Sequence, residues 1–411
     1  MTRYLASLVE QALWSTLNLG VNLLLIRLCA PQDYGAFAFW STSAFVLASV
    51  QNALTVCHLQ VLPPADGLHP ARFGVERLMH AVTGLFLAAV AGLIAVAAAS
   101  LGVGGAGFAN PAAVLFVPAF LLQQYIRALA FSRGQPVTAA VQTGLVLALA
   151  TVLVGGLAFA VKAPSADMVL AALGTAYGVV GVWGGARALK GQMRGFAWRS
   201  LAGFGGYAAQ SGWIFLGVTT TELLARFYAF VVAGFYGAAA LASLSATQLL
   251  LRPVPLLASS WSMVARADLA RRREADDWGG FTGLGWIALS GGAAVAGVWT
   301  LLIWQAWPLI AARLFNGKYA DDGWMVLLWG VSAALSFGQV VVGASLQVLR
   351  AFRALALSNA AASAVAAVAI LIVTRLYGFG GAIAGTAAGQ AFEFLVMGAV
   401  LLTTIRTLKA T

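Results

Sequence analysis

Charged side chains are scarce in this sequence: 13 Asp and Glu and 24 Lys and Arg in 411 residues, 9% in all, against 61% hydrophobic residues. So little polar surface cannot coat a soluble globule of this size. Cysteine is nearly absent, with Cys29 and Cys57 alone, and the topology derived below puts them near opposite membrane faces, too far apart to bridge. Only three histidines occur, His58, His69 and His80, and none has the helical His or carboxylate spacing of a metal centre. Long hydrophilic loops are missing too. The longest outward-facing connection, 304–323, is about twenty residues and the others are mostly shorter, so no soluble catalytic domain is present. Neither a catalytic residue, a resident cofactor nor a metal is expected.

What fills the chain instead is apolar sequence, with a mean hydropathy of +0.89. Stretches of about 18 to 25 residues, each able to cross a hydrocarbon core about 30 Å thick, recur from end to end. They fall at approximately 12–30, 38–60, 80–101, 111–131, 137–161, 168–189, 207–231, 238–260, 281–303, 324–347, 355–374 and 381–404. Continuous runs without a period of two mean helices and exclude a β-barrel. Twelve transmembrane helices are expected.

The basic residues test this count, because Lys and Arg gather in cytoplasmic loops. With the N-terminus inside, only Lys162, Arg313, Lys318 and Arg375 lie on the outer side, and Arg27, Arg226 and Arg252 fall within spans. The other seventeen of the 24 face the cytoplasm. A wrong number of spans would scramble this segregation, so both termini are read as cytoplasmic. The net charge of +11 therefore reports topology. Nucleic acid is not an expected partner, since the positive residues are dispersed over short loops. Arg3 and the apolar stretch behind it resemble a signal peptide, but Glu10 interrupts it and eleven spans follow. Ile26-Arg27-Leu28-Cys29 makes a poor lipoprotein site because of the Arg.

An internal repeat organises the spans. Tyr34-Gly35-Ala36 follows the first span and Tyr236-Gly237-Ala238 follows the seventh, an offset of 202 residues. A tight turn accounts for the Gly and an interfacial ring for the Tyr. Six spans return the chain to its starting side, so the halves are expected to be related by an axis along the membrane normal. The expected fold is an all-α polytopic membrane protein of two six-helix lobes related by pseudo-twofold symmetry: 1–190, a basic cytoplasmic linker 191–204, and 205–411.

The chain also resembles a known family. Leu24-Leu25-Ile26-Arg27-Leu28-Cys29-Ala30-Pro31-Gln32-Asp33-Tyr34-Gly35-Ala36-Phe37 is similar to the Leu-x-Arg-x-Leu-x-Pro-Glu-Asp-Tyr-Gly stretch that ends the first helix of polysaccharide (oligosaccharidyl-lipid) flippases of the multidrug/oligosaccharidyl-lipid/polysaccharide (MOP) exporter superfamily. Leu314-Phe315-Asn316-Gly317-Lys318-Tyr319 resembles that family's Leu-Phe-Gly-x-x-Tyr, and Gly378-Phe379-Gly380-Gly381-Ala382 its Gly-x-x-Gly-Ala. The resemblance implies transport of a polyprenyl-diphosphate-linked oligosaccharide from the cytoplasmic to the periplasmic leaflet of a bacterial inner membrane, by alternating access of a central cavity, in surface or exopolysaccharide assembly. Membrane lipids and other polysaccharide assembly proteins would be its neighbours.

Such a substrate carries negative charge and a bulky polar head, so its carrier needs cationic, hydrogen-bonding groups in a hydrated cleft. Arg252 is the leading candidate. It stands in Leu251-Arg252-Pro253-Val254-Pro255 at the centre of a span, where an Arg costs about 2.5 to 3.5 kcal/mol and so usually faces a partner or water. The repeat offset sets it level with Gln51 and Asn52, candidate sugar contacts whose bland alternative is an interhelical hydrogen bond. Glu222 and Arg226, four residues apart, share a helical face and either neutralise one another or separate when Glu222 is protonated or substrate arrives, coupling transport to a proton or sodium gradient. Glu393, alone in the last span, is a second coupling candidate, because a carboxylate stripped of water takes up a proton more readily. Its alternative is a hydrogen-bonded acid that fixes packing. Arg27 either binds substrate or reaches the interface, and Gln123-Gln124 either lines the cleft or joins helices. Arg271-Arg272-Arg273 reads as a topology determinant.

Two other readings compete with the flippase. An ion-coupled multidrug or small-solute exporter of the same superfamily would have a cavity dominated by acidic residues, whereas Arg27, Arg226 and Arg252 outnumber Glu222 and Glu393. An integral-membrane enzyme acting on lipid-linked sugars would need a nucleophile or acid/base pair at one interface, and the short loops offer little support for one.

Overall fold

The structure, a computed structural model, describes residues 2–62, 70–103, 107–190 and 198–410. Among them every regular element is helical. In chain order these are α1 (Thr2–Leu28), α2 (Pro31–Gln51), α3 (Pro70–Val103), α4 (Ala113–Ser132), α5 (Pro136–Ala160), α6 (Ala166–Ala188), α7 (Gly205–Leu249), α8 (Pro253–Glu274), α9 (Trp278–Arg313), α10 (Trp324–Val348), α11 (Phe352–Tyr377) and α12 (Gly381–Ala410). Nine of the described helices are long and apolar enough to cross a membrane. The three that fall short are α1, α2 and α8, and these are the helices that carry or adjoin Arg27, Gln51, Asn52 and Arg252.

Local chemistry sets most of the boundaries. Pro31 opens α2 at its first position with Ala30 held extended before it, as the ring of a proline requires. Ser165 caps α6 by accepting from the Met168 N–H at 3.4 Å, and Asp277 caps α9 through the Gly280 N–H at 2.8 Å. A π-helical stretch, Asn52–Val56, lets α2 run on into a last turn, Cys57–Gln60. Gly237, at φ 79° and ψ −174°, breaks α7 where the repeat motif lies. The left-handed φ admits Gly at no steric cost.

Two expected boundaries are corrected. The expected eighth span, 238–260, is not one helix: α7 ends at Leu249, the chain turns, and α8 starts afresh at Pro253 and continues to Glu274. Pro253 and Pro255 have no N–H to continue the preceding helix. The expected loop 304–323 is half helix, because α9 runs on to Arg313 with Pro308 inside it. Of the expected linker 191–204, residues 191–197 lie outside the described residues, and the rest is a short 3-10 helix, Trp198–Phe204.

The chain divides into two units: Met1–Thr219 with Gly237–Ala242, and Thr220–Tyr236 with Ser243–Thr411. In the first, α6 packs along α4 and α5 along α1, around rings of Trp14, Phe116, Phe120 and Tyr177. The resemblance motif Asp33-Tyr34-Gly35 is a joint here. Asp33 accepts from the Ala166 N–H at 2.8 Å, Tyr34 donates to the Asn22 Oδ1 at 3.0 Å, and Gly35 lies against the Ala238 carbonyl, where an added Cβ would fall 1.7 Å from the oxygen. Gly35 of the first Tyr-Gly-Ala copy thus meets Ala238 of the second within this unit.

In the second unit α11 and α12 are the most intimate pair. Gly385 and Gly389, four apart on α12, let its backbone approach Ile370 and Ala366, where a Cβ would come within 2.6 and 2.3 Å. This is small-residue packing, which drives helix association where lipid removes the hydrophobic advantage.

Candidate functional site

Membrane-depth charges group by unit. In the second unit Glu222 and Arg226 lie one turn apart on α7 and form an ion pair, Arg226 Nε to Glu222 Oε2 at 2.5 Å. Two residues on, the Tyr228 hydroxyl donates to Gln248 Oε1 at 2.9 Å. Gln248 stands one residue before the end of α7, so this bond lies beside the helix break that Arg252 follows. Arg252 is not buried, as an arginine inside a continuous span would be. Exposed at the start of α8, it has no acidic partner among the described residues.

Glu393, the one charged residue of the span 381–404, is hydrogen-bonded by neighbouring helices. It is buried on α12, and each carboxylate oxygen accepts from an amide: Gln339 of α10 at 2.6 Å and Asn359 of α11 at 3.2 Å. The Gln390 carbonyl also accepts from Gln339, and Ser332 donates to the Gln390 side chain at 2.7 Å. On the same face of α11, Ser363 donates to the Thr220 carbonyl at 2.6 Å and to that of Asn359 at 2.7 Å. The Glu393 network thus reaches the backbone of α7 at Thr220 through Asn359 and Ser363. The sequence shows Glu393 but not the amides that hold it, because no spacing relates Gln339, Asn359 and Glu393.

The remaining candidates belong to the first unit. Arg27 is exposed in the last turn of α1, where a cation complements the helix dipole. Gln51 is buried, and its Nε2 has no hydrogen-bond partner. Asn52 opens the π-helical stretch, an irregularity that recurs at functional sites.

Sequence reading misses the strongest polar cluster of this unit. Glu10 of α1, 1% exposed, receives Arg127 of α4 through both oxygens, Nε at 2.5 Å and Nη2 at 3.0 Å. Thr143 of α5 adds a third bond at 2.9 Å. Arg127 also donates to Gln124, which bonds Gln123, and its guanidinium lies over Trp14 and Phe131. The charge map counts Arg127 as cytoplasmic although it lies inside the run 111–131, and Glu10 reads there only as an interruption. Together they are a legible signal: one acid and one base within apolar stretches. A second cluster joins Glu76 to Arg72 at 2.9 Å and Arg133 at 2.6 Å. His80 lies 2.6 Å from the Tyr125 hydroxyl and His58 2.8 Å from that of Ser211, so both are tied into the packing.

These helices, their break at Arg252 and the two polar clusters lie on an architecture found in solved transporters. An inward-facing multidrug resistance MATE family transporter of the MOP superfamily aligns over 98% of this chain and 99% of its own, at 12% identity and a TM-score of 0.73. The lipid II flippase MurJ, in an inward closed conformation, aligns over 98% of this chain and 89% of its own, at 11% identity and a TM-score of 0.76. The chain shares the fold of these two transporters. A mutant of the Vibrio cholerae MATE transporter VcmN shares it less closely, over 100% of this chain and 96% of its own, at 16% identity and a TM-score of 0.52. No family model matches the sequence, and no curated protein matches it. At such identities the MOP likeness is one of fold, and the side chains of the site must speak for themselves.

Proposed function

We propose that this protein is a flippase that moves a polyprenyl-diphosphate-linked oligosaccharide from the cytoplasmic to the periplasmic leaflet of a bacterial inner membrane by alternating access, for surface or exopolysaccharide assembly. The observation that carries this is the second unit's set of polar groups about a helix break: Arg226 paired with Glu222 and Tyr228 bonded to Gln248 on α7, and Arg252 exposed where α8 begins. A diphosphate takes paired oxygens to a guanidinium fork, and Tyr228 and Gln248 add hydrogen-bonding groups for it or for the first sugar. Within the first unit, Gln51, whose buried Nε2 has no hydrogen-bond partner among the described residues, and Asn52 are the candidate sugar contacts of that unit, and Arg27 is its candidate cationic contact. The polyprenyl tail stays in lipid. The fold is shared with a lipid II flippase, and the excess of arginine favours an anionic cargo over the drug or small-solute alternative.

Glu222 holds Arg226 until protonation or substrate phosphate displaces it, and Glu393, held by the Gln339 and Asn359 amides, is the second coupling group for a proton or sodium gradient. The test begins with a strain lacking the gene, in which the lipid-linked oligosaccharide that accumulates on the cytoplasmic leaflet identifies the cargo. In vesicles, Arg252→Ala should insert normally and transport that lipid at least about tenfold more slowly, since a charge-assisted bond contributes about 1.5 to 3 kcal/mol. Wild-type rates in this variant would overturn the binding role, and rates indifferent to collapse of both gradients would remove the coupling role.

A further inference from the structure

The first unit holds a cleft that the transport reading does not use. It has a volume of about 250 Å³ and is formed by the end of α4, the start of α5 and the end of α6. Its polar lining is Arg133, Gln135, Thr138, Gln142 and Arg187, with Trp183 on one wall. This is room for about eight waters at about 30 Å³ each, below the roughly 300 Å³ of a typical small-molecule pocket. A headgroup fits, but not a whole lipid.

Three features of the cleft favour an anion, and a fourth favours a hydrogen-bond donor beside it. The first turn of α5 has no side-chain cap, and its free N–H groups and positive dipole end make an anion site. Arg187 is exposed, stacked on Trp183 at 4.1 Å, and makes no ion pair among the described residues. Arg133 is fixed by Glu76 on one side and lies within 3.5 Å of the Ala188 carbonyl on the other, which neutralises the C-terminal carbonyl end of α6 beside the cleft. Among the described residues no acid lines the cleft, and Glu76, beside it, already serves both Arg72 and Arg133. The fourth feature is Gln142, 4% exposed, whose Oε1 has no hydrogen-bond partner among the described residues. A buried acceptor left empty is costly, and a ligand hydroxyl or ammonium would satisfy it.

We propose that this cleft binds a phosphate group bearing a hydrogen-bond donor: the headgroup of an anionic phospholipid such as phosphatidylglycerol, or free phosphate. The phosphate sits at the start of α5 between Arg187 and Arg133, and the donor reaches Gln142. All three helices belong to one unit, so the site is complete without reference to the transport cavity.

Delipidated full-length protein offered phosphatidylglycerol or phosphatidylcholine should retain phosphatidylglycerol selectively in native mass spectrometry, and calorimetry with inorganic phosphate examines the free anion. Arg187→Gln should weaken whichever binds by at least about tenfold, the size of one charge-assisted bond, while Arg187→Lys should recover most of it. Gln142→Leu, which removes an unpartnered acceptor, should leave the unliganded protein melting no lower than wild type yet shrink the stabilisation that phosphatidylglycerol gives. Phosphate binding without lipid retention would assign the site to the free anion and still support it. Equal retention of phosphatidylcholine, or undiminished binding of both ligands by Arg187→Gln, would overturn it.

Discussion

Removing either member of the Glu10–Arg127 pair should destabilise the fold, and by unequal amounts. Breaking a buried ion pair from one side costs about 3 to 5 kcal/mol, because it strands the partner. The two sides here are not equivalent. Without Glu10, the Arg127 guanidinium, 23% exposed, keeps Gln124 as an acceptor and the faces of Trp14 and Phe131. Glu10→Leu should therefore cost about 3 kcal/mol, the low end of that range. Without Arg127, a carboxylate with 1% exposure is left with only Thr143, and Arg127→Met should cost about 5 kcal/mol. The double variant replaces charges by apolar groups of similar reach and should lie within about 2 kcal/mol of wild type, since such exchanges are often neutral. The assay is reversible unfolding in mixed micelles, followed by helical circular dichroism, closed as a double-mutant cycle. A coupling below about 1 kcal/mol, or a Glu10 variant less stable than the Arg127 variant, would refute the reasoning.

Two further outcomes test other parts of the structure. Gly35→Ala drives a methyl into the Ala238 carbonyl, so it should lower stability by about 1 to 3 kcal/mol, the usual cost of overpacking; an unchanged melting temperature would show that the two Tyr-Gly-Ala copies do not meet. Asp322, in the short turn Ala320–Asp322 outside the spans, has its pKa raised, first by burial and then by Asp321, against a hydrogen bond from Ser243. A raised folded value means that its contribution is complete below the ordinary carboxylate range and is lost as pH rises through the folded value. Asp322→Asn should therefore melt higher than wild type at neutral pH, with the gain vanishing in acid, and a gain that does not depend on pH would contradict the sign.

Much of the frame is readable from one dimension. Pro31, Gly237, Pro253 and Gly378 each act on their own backbone or the next residue, so they mark breaks whatever surrounds them. The GxxxG spacing of Gly381, Gly385 and Gly389 is equally legible as a packing face, although among so many glycines none stands out singly. Arg226 and Glu222 pair as their spacing of four requires. Arg252 stands out in the sequence as a costly charge, but its exposure depends on the helix ending at Leu249, which the apolar run conceals. The burial of Gln51 beside a π-helical stretch has no local marker at all.

The division follows from the range of the forces involved. Apolar length, helix breakers and the distribution of arginine determined that this is an all-helical chain of membrane-spanning segments, because each acts within a few residues or at the level of a whole span. Only the tertiary structure decided which polar groups meet: Glu10 with Arg127 across 117 positions, Glu393 with the amides of Gln339 and Asn359, and Gln142 with the cleft it lines. In a low-dielectric interior each such group must find partners among helices that sequence distance does not order. Packing alone selects them.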